Sequence, residues 1–384
     1  MLKKFTISNY RSFENPITLD FTKVGDYDFN EECIKDGLIN KAIIYGENAV
    51  GKTNFGQAIL DVTSMIMGTV SNKPLWQASG FINARSNKQF ARFEYIFQID
   101  GCDIEYVYEK YSFYEIHFES LKIGKELLYE LNFTTEDSDF SHFKNYDELS
   151  TLNLENWDNR ISVLRYILGH TKLVSLGVLK KFESFISGMG HSELLFNYQS
   201  FKFDPMIMNT ISKNIVKYNL VSDFELFLQE AGIKVNLKID MAPDGVSDLY
   251  FDYGDKALRF IDYASSGTLS LVGLYLFLRF SLSSEITFLY LDEFDANFHF
   301  ELAKLMLEKF KQNPNCQTII TTHNTDLMSN KFMRPDCYLL MTPNKITNLA
   351  DATGRKLRMG HHLERLYQAG EFEELNTRTG DENE

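Results

Sequence analysis

One octapeptide near the start of the chain, Gly46-Glu47-Asn48-Ala49-Val50-Gly51-Lys52-Thr53, limits the fold more than any other stretch. It has the form GxxxxGK[ST]. Before it stands a short apolar run, Lys41 to Tyr45, that reads as a central strand. After it, Phe55, Ile59, Val62, Met65 and Ile66 recur at helical spacing until Gly68. Strand, glycine-bounded loop and helix together form the context that confirms this motif. A loop turned at a helix N-terminus aims its backbone N–H groups at one point, where an anion is favoured. Gly51 lets the backbone approach closely, and Asn54 carries the loop into the helix. Lys52 is placed to meet the β- and γ-phosphates of a nucleoside triphosphate, and Thr53 offers its hydroxyl oxygen to Mg²⁺.

A second apolar run, Ile286 to Leu291, ends in the adjacent carboxylates Asp292 and Glu293. A buried strand ending this way presents its acids at the carboxyl edge of a sheet, where α/β proteins bind ligands. Asp292 would hold Mg²⁺ through water, and Glu293 would orient or deprotonate an attacking water. The next strand, Gln317 to Thr322, ends at His323, which would sit beside the γ-phosphate and steady the transition state. The segment Ser265-Ser266-Gly267-Thr268 opens a long apolar helix. Hydroxyls at a helix start suit either a second phosphate site or plain N-capping, and the residues alone leave both open.

This order of motifs resembles an ABC-type ATPase head: P-loop, Ser-Ser-Gly-Thr, Asp-Glu strand, His strand. It is most similar to the branch containing RecF, SMC proteins and the overcoming-lysogenization-defect ATPases. The opening Ile7-Ser-Asn-Tyr-Arg-Ser-Phe13 resembles the first strand of that branch. Within it, the chain resembles small bacterial RloA-like and abortive-infection ATPases encoded beside toxins or nucleases. The motifs cover the first 70 residues and roughly 245–330.

The resemblance implies an α/β fold: a mixed sheet flanked by helices, an antiparallel β-subdomain near the N-terminus, and a mainly helical insertion. ATP and Mg²⁺ would be the ligands. Ser265, Ser266 and Gly267 become the signature motif that meets the γ-phosphate held by a second subunit, with Thr268 beside them. Two heads would sandwich ATP head to tail, with Asp295 to His299 across the interface. His299 stands where transporter heads usually carry Asp. Gln98 is the candidate Q-loop ligand to Mg²⁺, although it falls in a β-hairpin pattern. The implied partners are a second copy of the chain and an effector, toxin or nuclease, encoded nearby.

Residues 1–125 read as an N-lobe with P-loop and hairpins, 126–245 as the helical insertion, 246–376 as a C-lobe, and 377–384 as an acidic tail. The insertion shows no sustained heptads, which disfavours an SMC-length coiled coil. The stretch after His323 is shorter than an average domain of about 100–200 residues, so no Toprim-type nuclease is expected.

Net charge is −14, against the basic surface that phosphate neutralisation demands of a nucleic-acid coat. That balance favours a toxin- or nuclease-controlling ATPase in anti-phage defence over a RecF-like DNA-repair ATPase, and a nucleotide-binding scaffold without turnover stays open as a third reading. The cysteines Cys33, Cys102, Cys316 and Cys337 form no CxxC pair, which disfavours zinc and disulfides and fits a reducing cytoplasm. The start MLKKFTISNYRSF lacks an apolar signal segment. Arg279 and Glu285 interrupt the most apolar stretch, Leu269 to Leu291, so a membrane span is not expected.

Overall fold

Alternating apolar residues build the first layer. In the computed structural model, which describes residues 1–68, 80–154, 158–190, 212–282, 286–295 and 300–372, strand β1 (Leu2–Ser8) buries Leu2, Phe5 and Ile7. It pairs antiparallel with β2 (Ile17–Asp20) on one side. After the short hairpin β3 (Ile34–Lys35) and β4 (Leu38–Ile39), strand β5 (Lys41–Tyr45) enters a different sheet, buried at every position. Helix α1 (Lys52–Met67) follows, and Gly68 closes it in the left-handed conformation at φ 66°.

The chain then returns to the first sheet as β6 (Ala91–Ile99), β7 (Cys102–Lys110), β8 (Ile116–Ile123), β9 (Glu126–Asn132) and β10 (Ser138–Asp139). The antiparallel order is β10-β9-β8-β7-β6-β1-β2. The region expected as a helical insertion from residue 126 therefore begins with strands: β9 pairs with β8 across the turn at Gly124. Leu128, Tyr129 and Leu131 are buried there, so packing on β8 decides the state of a segment whose own pattern is ambiguous.

Helices α2 (Val163–His170), α3 (Gly177–Ser187) and α4 (Val221–Glu230) follow. The hydroxyl of Ser162 caps α2 by accepting from the N–H of Arg165. A three-stranded sheet of β11 (Leu237–Met241), β12 (Ser247–Asp252) and β13 (Ala257–Arg259) completes the middle, so this region mixes helices with strands.

The last third supplies helix α5 (Ser266–Leu282), β14 (Phe288–Leu291), α6 (Phe300–Lys311), β15 (Gln317–Thr321), β16 (Tyr338–Thr342), β17 (Lys345–Asn348) and α7 (Leu363–Gln368). The second sheet has the order β14-β15-β5-β16-β17. The first four strands are parallel and β17 is antiparallel to β16. Parallel strands need helical crossovers on their faces, which explains their continuous apolar character.

Helix α1 joins the two sheets. Phe55 packs its ring 5.4 Å from Phe5 of β1. The backbone carbonyl of Ala58 accepts a 2.7 Å bond from the Tyr95 hydroxyl of β6. A buried ion pair, Lys110 to Asp61 at 2.9 Å, ties the same face to β7. Toward the parallel sheet, Gly56 lies under the ring of Tyr290, and a Cβ there would stand 2.3 Å from Tyr290 Cε1. Among the described residues, no helix is long and apolar enough to cross a membrane.

Candidate active site

Three adjacent parallel strands, β14, β15 and β5, end side by side, each delivering one part of the site. Strand β5 ends at Tyr45 and runs into Gly46–Thr53. Strand β14 ends at Leu291 and gives Asp292 and Glu293. Strand β15 lies between them in register, with Ile320 opposite Leu291 and Thr321 opposite Ile44, and leads to His323.

Close backbone approaches fix the loop. Gly51 precedes the helix at φ 105°, a conformation that costs glycine little and other residues more. A Cβ on Gly51 would stand 2.6 Å from Ser12 Oγ and 2.8 Å from the Phe13 ring. One on Gly46 would stand 2.6 Å from the Met341 carbonyl oxygen. Ala49 also takes a positive φ of 65°. Glu47, Asn48 and Ala49 are exposed, whereas Val50 is buried under the loop.

Lys52 Nζ reaches back inside the loop. It donates to the carbonyls of Gly46 at 2.8 Å and Glu47 at 3.0 Å, and stands 3.1 Å from His323 Nε2. His323 thus turns its Nε2 toward the Lys52 side chain at the mouth of the loop. Burial lowers the pKa of Lys52, while the nearby Asp292 and Glu293 carboxylates oppose that shift. Glu293 Oε1 lies 4.0 Å from His323 Nε2. Lysine, histidine and glutamate thus converge where a terminal phosphate on the loop would end.

The Asp292 carboxylate is held at both oxygens by threonines. Thr53 Oγ1 donates to Oδ2 at 2.5 Å, and Thr321 Oγ1 donates to Oδ1 at 2.6 Å. Hard oxygen donors of this kind suit Mg²⁺, which takes few protein ligands and completes its shell with water and phosphate oxygens. Among the described residues there is no cluster of three or more His, Cys, Asp or Glu that would hold a metal unaided. The pair Thr53 and Asp292 fits a cation shared with a nucleotide.

Gln98 does not join this group. It lies at the far end of β6, paired with Asp103, and its backbone exchanges bonds with Met1 at 2.7 and 2.8 Å. The P-loop touches the chain just beyond the other end of β1, roughly 20 Å of strand away. The alternation of buried Phe93, Tyr95 and Phe97 fixes this register and leaves Gln98 on the opposite face. Ser265 forms the N-cap of α5: its Oγ lies 2.9 Å from Thr268 Oγ1 and accepts from the Thr268 N–H at 3.1 Å. Gly267 falls in the same first turn, and the Ser266 side chain lies outside the described residues. Asp295 is described, but the rest of the expected interface loop, including His299, is not.

Two groups at the site carry no motif signal. Arg11, at φ 47° in the turn after β1, donates to Asn54 Oδ1 at 3.1 Å and to Gln57 Oε1. Asn54 in turn donates to Ser12 Oγ at 3.0 Å. Residues 11–12 are thereby clasped to the first turn of α1. The Tyr290 hydroxyl donates to the Lys52 carbonyl at 2.7 Å. The first group lies within the Ile7–Phe13 resemblance, and Tyr290 has no sequence signal beyond its apolar run.

Fold and site together define a P-loop ATPase head of the ABC type. The chain belongs to the family described as "AAA domain, putative AbiEii toxin, Type IV TA system", whose model matches residues 41–329, about three quarters of the chain. Among solved structures it is similar to an SMC head bound to the C-winged helix domain of ScpA, at 15% identity and TM-score 0.52. That match covers 91% of this chain and 98% of the other. It is also similar to the SMC head domain from Thermotoga maritima, at 16% identity, TM-score 0.46 and coverages of 90% and 98%. At such identities the likeness is one of fold. No curated protein matches the sequence.

Proposed function

We propose that the protein binds and hydrolyses ATP, closes as a head-to-tail dimer around it, and controls a toxin or nuclease partner in anti-phage defence. One observation carries the hydrolytic part: Lys52, His323 and Glu293 converge at the mouth of the loop while Thr53 and Thr321 hold Asp292. Lys52 and the loop N–H groups bind and orient the phosphates. Glu293 receives the proton of the attacking water, and His323 donates through Nε2 to the γ-phosphate and holds it in line. Thr53 and Asp292 would hold Mg²⁺, which would neutralise phosphate charge.

The dimer and the partner rest on different support. Ser265 and Gly267 stand at the first turn of an α5 helix next to the exposed Tyr263, as expected of a surface that meets another subunit's ATP. The family's description as a toxin–antitoxin component favours an effector pair. The acidic balance of −14 disfavours the repair alternative. The test is co-expression with the adjacent gene, then pull-down and mass measurement of the Glu293→Gln variant with and without ATP. An ATP-dependent doubling of mass that Ser265→Arg abolishes supports the dimer. A monomer in both conditions contradicts it, and a partner-free pull-down contradicts effector control.

A further inference from the structure

Thr321 is fully buried at the end of β15 and makes three bonds to the turn that carries the acids. Its hydroxyl donates to Asp292 Oδ1 at 2.6 Å and accepts from the Glu293 N–H at 2.8 Å. Its carbonyl accepts from the Phe294 N–H at 3.3 Å. A carboxylate only accepts and an amide N–H only donates, so the hydroxyl has no freedom left in its orientation. The β-branched side chain is stiff at χ1, which transmits the register of β15 to the turn. Glu293 sits at φ 46°, the left-handed region that non-glycine residues seldom adopt. Such a conformation persists where its surroundings over-determine it, and the bond from the Glu293 N–H to Thr321 is one such restraint.

We infer that Thr321 is a positioning residue for hydrolysis: one hydroxyl couples the metal-side acid Asp292 to the backbone of the water-activating Glu293. The inference rests on the proposed ATPase reading. Thr53, the other tether of Asp292, is itself a proposed metal ligand. Thr321 has no such second task. It fixes both acids relative to β5, because β15 pairs directly with the strand that launches the loop.

The test compares Thr321→Val, which keeps the shape and removes both hydroxyl bonds, with Thr321→Ser, which keeps the hydroxyl. Melting without nucleotide, ATP affinity in EDTA, and kcat and KM with Mg²⁺ are measured for each. Thr321→Val should lose about 10–100-fold in kcat, the usual cost of removing an outer-shell partner. Its KM and its affinity in EDTA should stay within about threefold of wild type. Thr321→Ser should recover most of the turnover. In a Glu293→Gln background, Thr321→Val should cost less further turnover than it does in wild type, because only the Asp292 tether then matters. If Thr321→Val does not fold, Thr321→Cys, with only a weak donor and acceptor, takes its place with the same expectation. Wild-type turnover in the valine (or cysteine) variant, or equal loss in the serine variant, overturns the inference. Absence of turnover in the wild type contradicts the ATPase reading instead.

Discussion

Tyr290 donates its hydroxyl to the backbone carbonyl of Lys52 at 2.7 Å, so the strand that carries the acids is bonded to the first residue of the P-loop helix. The contact is possible because Gly56, one turn further along α1, leaves room for the ring. Loop and acids are thereby held by side-chain packing as well as by the sheet between them.

Tyr290→Phe should destabilise the protein by about 1 kcal/mol, the net worth of one hydrogen bond. Gly56→Ala should cost more, about 1–3 kcal/mol, because it overpacks a site with no slack. Tyr290→Val should return part of that loss in the Gly56→Ala background. Denaturant unfolding of wild type, Gly56→Ala, Tyr290→Val and the double variant checks the cycle, and simple additivity would show that Gly56 and Tyr290 are not coupled.

Lys52→Ala should weaken ATP binding by about 10–100-fold, since hydrogen bonds from a charged group are worth about 1.5–3 kcal/mol. Its nucleotide-free melting should change little, because burial already disfavours the ammonium. Calorimetric titration and a thermal melt separate the two effects.

Lys41 is buried at the start of β5, where its ammonium donates to the carbonyls of Asn313 and Cys316. Burial lowers its pKa from 10.5 to about 8. Between about pH 8 and 10.5 the folded chain has lost this proton and the unfolded chain keeps it. More protons on the unfolded state means stability rises with pH in that window. Wild type should therefore gain about 2–3 kcal/mol from pH 8 to 10.5 relative to Lys41→Met, at 1.36 kcal/mol per pKa unit. Unfolding free energies across that range measure the difference.

The Glu119 carboxylate is wholly buried and accepts from Tyr106, Tyr129 and Ser162 hydroxyls and from the N–H groups of Val163 and Leu164. It therefore joins the antiparallel sheet to the start of α2. Glu119→Ala leaves these donors without their acceptor and should cost about 3 kcal/mol. Chemical denaturation tests this, and ATP affinity of the folded fraction should be unchanged.

The sequence showed most clearly those parts that rest on local rules. Strand β5, the loop and α1 could be placed because an apolar run, two glycines and a 3.6-residue period fall in succession. The acids and His323 could be placed because each ends an apolar strand. Gln98 lies away from the site: alternation identifies a strand without saying which end of the sheet it reaches. Strand β9 falls within the segment expected to be helical because its state depends on pairing with β8, which no local pattern records. Tyr290 on Gly56, Thr321 on Glu293 and Arg11 on Asn54 are contacts between distant segments, and no local pattern records them.

The central claim is turnover of ATP through Glu293. Its most direct test is steady-state phosphate release with Mg²⁺ by wild type and Glu293→Gln, alongside ATP affinity for both. The expected result is hydrolysis by wild type, a loss of about 10²-fold or more in the variant, and equal ATP affinity. Equal phosphate release from the two proteins would contradict it.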